Sequence, residues 1–320
     1  MPSRRSLIAA LAALPVAHPG LARGDTAPLR IVFPFAAGGA ADAVARLLAE
    51  RLATTLGRPA IVENRTGAGG RIGAQAVRAA APDGATLLLA AAAQMVLQPH
   101  TDPAIGYDPV ADFRPVAQLM RFGQVVAIGP DNPARDVAGL LAWYRDNPAR
   151  RSFGSPGIGT GAHFAGLEIG RLGGVPLEHV AYRGTPAAIP DLQSGRLAMF
   201  VASVAEFRDH AAAGRVRLIA STEAARSAAT RDIPTLREQG IDVVAPGWFA
   251  LYAPAGTPDA VVARLAAAVA EAIGPGGLGA RIAAMGFEPS GAGPDTVAAA
   301  QREDSARWAA MVRASGFRPA

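Results

Sequence analysis

Two glycine-bearing loops contain the residues of this sequence that are best suited to binding an anion. The first loop spans residues 35–42, and the second, Asn-Arg-Thr-Gly-Ala-Gly-Gly, spans residues 64–70. Each precedes a segment with helical spacing, so glycine would let a ligand approach the backbone while free N–H groups at the helix start point at it. The same pattern also fits an ordinary turn between a strand and a helix. Because two such loops occur in succession, we favour an anion site.

A third loop contains a pattern typical of dinucleotide binding. Gly157, Gly159 and Ala162 match G-x-G-x-x-A, and the acidic residue Glu178 follows about 20 residues later. In a dinucleotide-binding unit that acid closes the second strand, whereas Glu178 precedes the strand predicted at residues 179–182. We therefore interpret the match to the dinucleotide pattern as coincidental and keep a nucleotide-binding oxidoreductase only as an alternative.

The same loop supplies the nearest candidates for a nucleophile and a base, Ser155 and His163. No G-x-S-x-G elbow surrounds Ser155, and a histidine near a helix start more often caps or packs. The five histidines show neither an i, i+4 pair nor carboxylate spacing that would suggest zinc, so we predict no metal and no cofactor. An exported hydrolase that uses Ser155 and His163 stays open as a second alternative to a non-catalytic binding protein.

A fourth loop contains Tyr182, Gly184 and Thr185 and turns into a helix. Threonine at such a position either caps the helix or donates a hydrogen bond to a ligand, and we favour capping. Phe35, directly after the first predicted strand, is placed either to pack on an apolar part of a ligand or to support its loop from beneath.

These loops lie between segments whose apolar spacing alternates between strand and helix, which predicts parallel α/β architecture. The strands predicted for the first lobe are residues 29–33, 60–62 and 86–90, and those of the second lobe are residues 125–128, 152–155, 179–182, 198–201 and 216–220. Helices predicted at residues 258–272, 278–285 and 294–314 accompany one apolar stretch, residues 248–253, so we expect them to return to the first lobe. Ligands bind outside the carboxyl ends of strands in such sheets.

The chain would then cross between the lobes twice, near residues 121–124 and 245–248, and form a two-stranded hinge. We predict that residues 25–121 and 249–320 form lobe 1 and that residues 122–248 form lobe 2.

The N-terminal segment resembles an export signal. Arg4 and Arg5 precede an apolar run at residues 7–17, which is shorter than the about 20 residues that span a bilayer. We predict that residues 1–22 are a signal peptide, read by the Sec or the twin-arginine route, and that the protein is periplasmic. The absence of cysteine fits an oxidising compartment.

The formal charge of +5 comes from 31 arginines scattered among 26 acids. Such scatter argues against a nucleic-acid partner. The effector-binding core of a transcription regulator shares the two-lobed architecture but would need a DNA-reading module, and none is predicted.

Ordered motifs along the chain carry a family resemblance. They include Ile-Val-Phe-Pro-Phe-Ala-Ala-Gly-Gly at residues 31–39, Val-Glu-Asn-Arg at 62–65, Ser-Pro-Gly at 155–157, Tyr-Arg-Gly at 182–184, Pro-Thr-Leu at 234–236 and Ala-Pro-Ala-Gly-Thr-Pro at 253–258. With these motifs the chain resembles the tripartite tricarboxylate transporter substrate-binding proteins, the Bug or TctC family, over essentially its whole mature length.

The resemblance implies an α/β fold like that of type II periplasmic binding proteins, with two doubly wound lobes joined by a two-strand hinge. It implies a monomer that captures a small carboxylate, a di- or tricarboxylate or an aromatic acid, for uptake or sensing with an inner-membrane permease or sensor. It also implies that backbone N–H groups and ordered water in lobe 1 hold the carboxylate while lobe 2 closes over it.

The predicted ligand-binding residues lie at or after the ends of predicted strands. They are Phe35, Ala36, Ala37, Gly38, Gly39, Asp42, Thr66, Gly67, Ala68, Gly69, Gln94, Ser155, Gly157, Gly159, Thr160, His163, Tyr182, Gly184, Thr185 and Ser203.

Two positions depart from the family pattern. Arg183 stands where many relatives carry lysine, and Val201-Ala202-Ser203 stands where the family often has an acid. Loss of that carboxylate would make lobe 2 a poorer partner for an ammonium group, so we predict a preference for non-amino carboxylates.

Overall fold

Two mixed β-sheets covered by helices make up the part of the chain that the computed structural model describes, residues 27–182 and 184–317. The predicted signal peptide and Arg183 lie outside these ranges. The strands are β1 (Leu29–Phe33), β2 (Ala60–Asn64), β3 (Thr86–Ala91), β4 (Phe113–Phe122), β5 (Gln124–Ile128), β6 (Ser152–Ser155), β7 (Glu178–Ala181), β8 (Met199–Ser203), β9 (Arg217–Ser221), β10 (Gly247–Pro254) and β11 (Glu288–Pro289).

The α-helices lie between and after these strands. They are α1 (Ala40–Leu56), α2 (Arg71–Arg78), α3 (Gln98–Thr101), α4 (Val137–Asp146), α5 (Gly161–Leu172), α6 (Ile189–Gln193), α7 (Arg208–Ala212), α8 (Asp259–Ile273), α9 (Gly279–Ala284) and α10 (Pro294–Ser315). In the described ranges, no helix is both long and apolar enough to cross a membrane.

The six-stranded sheet, in the order β11-β4-β10-β3-β1-β2, belongs to what we call lobe 1, and the five-stranded sheet, in the order β7-β6-β8-β5-β9, belongs to lobe 2. Successive residues of β3 point to opposite faces of the first sheet, so Leu87 and Leu89 pack under α1 and α8, while Leu88 packs on the side of α2 and α10. The predicted two-lobed α/β fold is confirmed.

The carboxyl ends of the parallel strands of both sheets meet between the lobes. In lobe 1, β10 is antiparallel to both β3 and β4, so β1, β2 and β3 run in the direction in which β4 enters lobe 2. In lobe 2, β8 runs antiparallel to β5, so that Ser203 at the end of β8 pairs with Gln124 at the start of β5. Because β6 and β7 run parallel to β8, their ends lie at the same edge.

Two segments connect the lobes and are hydrogen-bonded to each other. Gly123 alone separates β4 from β5. The Thr222 N–H donates to the Gln124 carbonyl (2.9 Å), and the Ala245 N–H donates to the Thr222 carbonyl (2.9 Å). The Thr222 hydroxyl also donates to the Ala245 carbonyl at 3.0 Å. These bonds make a two-stranded hinge of the kind the sequence predicts.

The structure corrects the predicted architecture in one respect. The sheets are mixed and not parallel, because β10 and the unpredicted strand β4 pair antiparallel in lobe 1, as do β5, β8 and β9 in lobe 2. The polar residues Arg114, Gln118 and Arg121 interrupt the apolar run of β4 and hid it from the sequence pattern. The three C-terminal helices contact strands β4 and β11, and α10 also contacts α5.

Candidate functional site

The starts of α1 and α2 are open to a ligand. Gly39 and Gly70 are the N-cap residues of these helices, and neither end has a side chain that caps it. Residues 36–39 before α1 and residues 66–69 of the loop before α2 are exposed, whereas Gly70 is buried. The first N–H groups of a helix lack partners within the helix and carry partial positive charge. The loop before α1 therefore offers unshielded donors to an anion. In the second loop the Gly70 and Arg71 N–H groups donate to the Gly67 and Ala68 carbonyls, so its donors are the N–H groups of the exposed residues 66–69.

Asp42 holds the first of these loops in place from within. Its carboxylate is buried and accepts hydrogen bonds from the Gly38 N–H (3.0 Å), the Asn64 amide (2.8 Å) and the Arg46 guanidinium (3.0 Å). Burial alone would raise the pKa of the Asp42 carboxyl, but these three partners outweigh it, so the pKa lies below its ordinary value. The Asn64 amide also donates to the Phe35 carbonyl. Asp42 thus shapes the loop, and its carboxylate faces protein groups.

Phe35 supports the same loop by ring contacts. Its half-buried ring lies 5.3 Å from the Phe33 ring and 6.2 Å from the Phe249 ring, measured between centroids. This arrangement matches the supporting role that the sequence left open, and the exposed part of the ring still borders the region between the lobes.

Two glutamines fasten the second loop. The amides of Gln94 and Gln98 both donate to the Gly69 carbonyl, at 2.7 and 2.8 Å. The side-chain amide oxygen of the buried Gln94 accepts a hydrogen bond from the Ala91 N–H at 2.8 Å. Gln94 lies in a π-helical turn, Ala93–Leu97, which places its amide under the loop. Gln94 is therefore fully engaged with the backbone that it positions.

The third loop, in lobe 2, satisfies its own polar groups. The Thr160 hydroxyl donates to the Gly157 carbonyl and caps α5 by accepting from the His163 N–H. The His163 Nδ1 accepts from the Gly159 N–H at 3.2 Å. This end of α5 is capped, in contrast to the starts of α1 and α2. His163 has the capping and packing role that the sequence favoured.

Ser155 pairs with a histidine other than the one predicted. Its hydroxyl oxygen lies 2.7 Å from the His179 Nε2, and the rings of His179 and His163 stack at 3.8 Å. Burial lowers the pKa of both imidazoles to about 4. Ser155 is 0% exposed, so its hydroxyl has no access to a substrate carbonyl. The proposed pair of Ser155 and His163 is therefore not assembled as a nucleophile and its base.

Glu178 is the first residue of β7, whereas the sequence predicted that it precedes this strand. Its partner in the sheet is Ser152, at the edge of lobe 2 opposite the strand ends. An acid that binds a ribose must close its strand, so the position of Glu178 still argues against a dinucleotide site.

The fourth loop differs from its predicted role. Gly184, with φ of 88°, is the residue before the short turn, and Thr185 makes no capping hydrogen bond, so the predicted cap is wrong. The Thr185 hydroxyl is buried and lacks a well-aligned partner among the described residues, although it contacts the Glu206 carboxyl. Tyr182 donates to the Asp191 carboxylate at 2.8 Å, and the Ser203 hydroxyl accepts from the Ala205 N–H at the end of β8.

The sequence did not predict a role in this region for four residues: Asn64, Gln98, His179 and Glu206. Asn64 stands inside the motif Val-Glu-Asn-Arg, and His179 stands in a second matching pair, His179-Val180, so the family resemblance could have drawn attention to both. Gln98 and Glu206 lie outside any motif. Within residues 27–182 and 184–317, no group of three or more histidines and acids is placed to hold a metal ion.

Known proteins match this chain over most of its length. The model of a family described as tripartite tricarboxylate transporter family receptor matches residues 44–317. The UPF0065 protein in the tcbD-tcbE intergenic region of Pseudomonas sp. (strain P51) is 33% identical over 289 residues, 89% of this chain and 85% of that protein.

Two solved structures are similar along nearly their whole length. R. palustris Rpa4515 with adipate is 28% identical with a TM-score of 0.83, over 92% of this chain and 99% of that one. MatC (Rpa3494) from Rhodopseudomonas palustris with bound malate is 29% identical with a TM-score of 0.78, over 89% and 98%.

Proposed function

Since the chain belongs to the tripartite tricarboxylate transporter receptor family, as its motifs predicted, we propose that it captures a small carboxylate between its lobes without transforming it. Similar structures that hold adipate and malate support this ligand class. The predicted signal peptide supports a periplasmic location, where the loaded protein would deliver its solute to a membrane permease or sensor.

The observation that carries the proposal is the pair of uncapped helix starts in lobe 1. Most of the described α-helices lack a side-chain cap, but α1 and α2 start next to exposed glycine-rich loops at the edge of the lobe 1 sheet that lies between the lobes. A carboxylate placed there would accept N–H bonds from both loops, each worth about 0.3–1 kcal/mol at an exposed helix end and up to about 2 kcal/mol when partly buried. Recognition of this kind is reversible, as delivery requires.

Many of the predicted site residues fall into two groups, according to whether their polar atoms are free for a solute or already bound to protein. In this proposal Ala36, Ala37, Gly39, Thr66 and Gly69 present backbone donors. A second group holds these loops or their counterparts in lobe 2 and does not contact the solute through its side chains: Asp42, Gln94, Ser155, Thr160, His163 and Tyr182.

The mechanism is an equilibrium between open and closed lobes. A solute that contacts both lobes binds the closed form better, and only this difference in affinity can drive closure. The two connecting segments, joined by the bonds of Thr222, are the pivot. Catalysis is not part of the proposal, because the Ser155 hydroxyl is buried.

The test combines a ligand panel with one substitution. The mature protein is screened by thermal shift against mono-, di- and tricarboxylates, aromatic acids and amino acids, and hits are measured by calorimetry and checked for product. A Cβ at Gly39 would have no atom within 4 Å, and its backbone is extended, so Gly39→Asp should fold. The added carboxylate would occupy the helix start and repel the ligand, lowering affinity about a hundredfold.

Gly293→Asp is the matched control. Gly293 is also an uncapped N-cap with open space at its Cβ, but it starts α10. Normal binding by Gly293→Asp and lost binding by Gly39→Asp would support the site. Normal binding by both would place the solute elsewhere, and chemical turnover of a hit would overturn the non-catalytic proposal.

A further inference from the structure

Glu206 lies where lobe 2 meets lobe 1. It ends the short turn Val204–Glu206 that follows β8, whose carboxyl end lies between the lobes. Its neighbours contact lobe 1 directly. A Cβ at Gly286, after α9, would come within 3.0 Å of the Ala205 Cα, and the Arg208 guanidinium donates to the Ala284 carbonyl at 3.1 Å. The side chain between these contacts therefore stands at the wall between the lobes.

Glu206 is exposed, although protein also surrounds its carboxyl. Water reaches its side chain, yet enough protein surrounds the carboxyl that burial raises its pKa above the ordinary value, against the lowering effect of the Thr185 hydroxyl. A group that projects into a narrow, water-filled gap combines these two properties. The buried Thr185 hydroxyl beside it has no well-aligned partner among the described residues.

We propose that Glu206, with Thr185 beside it, forms the lobe 2 half of the solute site and selects a carboxylate that carries a hydrogen-bond donor at its far end. This inference rests on the proposed function, since lobe 1 must hold the carboxylate. An ionised carboxylate accepts hydrogen bonds and donates none. It therefore fits a distal ammonium or hydroxyl group and repels a second carboxylate.

The inference reverses the preference predicted from Val201-Ala202-Ser203. The acid that the family often carries near Ala202 is absent, but Glu206 brings a carboxylate to the same edge of the sheet from four residues further along the chain. Lobe 2 therefore has an acceptor for an ammonium group after all. Sequence spacing missed it because Glu206 lies in the turn after the strand and not at the strand end.

The experiment compares solutes that differ only in the distal group. Calorimetry at pH 7.5 measures butanoate, 4-hydroxybutanoate, 4-aminobutanoate and succinate, and the six-carbon series from hexanoate to adipate, with wild type and Glu206→Gln. We expect wild type to bind the amino and hydroxy members at least about tenfold more tightly than it binds the dicarboxylate of the same length. Glu206→Gln should remove the advantage of the amino over the hydroxy member and improve dicarboxylate binding.

Glu178→Gln is the control, because it removes the same charge from an exposed position at the far edge of lobe 2. Wild type that prefers dicarboxylates, with a ranking unchanged in Glu206→Gln, would overturn the inference while leaving the proposed function intact. Dicarboxylate affinity that rises from pH 7.5 to 5.5 in wild type but not in Glu206→Gln would support the inference, because protonation of Glu206 removes the repulsion. If no member of either series and no compound of the wider carboxylate panel binds, both the inference and the proposed function are overturned.

Discussion

At the scale of single residues, two stacked imidazoles give lobe 2 a dependence on pH. His163 and His179 are packed face to face, with Phe153 beside both rings. Burial lowers the pKa of each to about 4 from 6.5, and the neighbouring imidazole contributes to the shift at His163. Both rings are therefore neutral in the folded protein over the pH range in which the unfolded chain takes up protons.

This pair should weaken the fold in mild acid. Between about pH 6.5 and pH 4 the unfolded state binds more protons than the folded state, so stability is complete above pH 6.5 and falls as the pH drops through this window. His163→Asn keeps an acceptor for the Gly159 N–H. It should reduce the slope of unfolding free energy against pH by up to about 1.4 kcal/mol per pH unit in this window, measured by urea unfolding.

Unfolding at pH 8 separates this effect from packing. Both imidazoles are then neutral in both states, so any difference between wild type and His163→Asn reports lost contacts only. Parallel curves of stability against pH for the two proteins would show that His163 does not titrate as described.

The side chains of the site show what residue positions after strands can and cannot predict. Their positions at or after the ends of predicted strands put Asp42, Gln94, Ser155 and Thr160 near the edges of the sheets that lie between the lobes. Their hydrogen bonds then direct them to the Gly38 N–H, the Gly69 carbonyl and other protein groups. A position fixes where a Cα lies, whereas the partner of a polar group depends on neighbours brought in by other strands.

At the scale of elements, the π-helical turn Ala93–Leu97 governs the second glycine loop. It aims the Gln94 amide at the Gly69 carbonyl, while Gln98, one turn further on, reaches the same atom and also accepts from the Tyr107 hydroxyl at 3.1 Å. The loop itself contains Ala68 with φ of 46°, a conformation that non-glycine residues seldom adopt. Contacts from the turn must therefore hold this backbone in place.

Gln94→Met should release the loop. Methionine has a similar size but leaves the buried Ala91 N–H without its acceptor, at a cost of about 1–3 kcal/mol. We expect faster hydrogen exchange across residues 66–70 and weaker solute binding, measured by mass spectrometry and calorimetry. Gln98→Met is the matched control, because the Gly69 carbonyl keeps its bond from Gln94. Equal effects of the two substitutions would contradict a special role for the turn.

The elements also show where pattern reading succeeds. Helix α8 and strands β1, β5 and β6 lie within one residue of their predicted bounds, because their apolar residues repeat at one clear period. Strand β4 breaks this rule with Pro115 and three long polar residues. It tolerates Pro115 because residues 288–292 pair only with Gln118 to Arg121, so the edge at Pro115 has no partner strand.

At the scale of the whole molecule, helix α10 ties the lobes together. It is anchored to lobe 1 by the Trp248 indole, which donates to Asp304 at 2.8 Å, and by the Tyr252 hydroxyl, which donates to Gln301 at 3.0 Å. Its Trp308 reaches lobe 2, where a Cβ at Gly161 would lie 3.1 Å from the indole. One buried apolar cluster consequently runs from the sheet of lobe 1 through Trp308 into lobe 2.

Trp308 should therefore set the balance between open and closed lobes. Its buried ring lies 6.5 Å from the Phe164 ring of α5, and this contact exists only while the lobes keep their present arrangement. Trp308→Leu removes most of it, so the unliganded protein should shift toward separated lobes and show a larger radius of gyration in X-ray scattering. Solute affinity should fall about tenfold, or about 1.4 kcal/mol, because a smaller fraction is ready to bind.

Trp143→Leu provides the comparison that isolates lobe separation from loss of stability. Trp143 is half-buried on α4, within lobe 2, and stacks with the Arg150 guanidinium at 5.0 Å. Its replacement should lower the unfolding free energy without changing the radius of gyration, since no contact between the lobes is lost. If neither Trp308→Leu nor Trp143→Leu changes the radius of gyration or the solute affinity, the prediction is wrong. The hinge bonds around Thr222 would then set the lobe arrangement without help from α10.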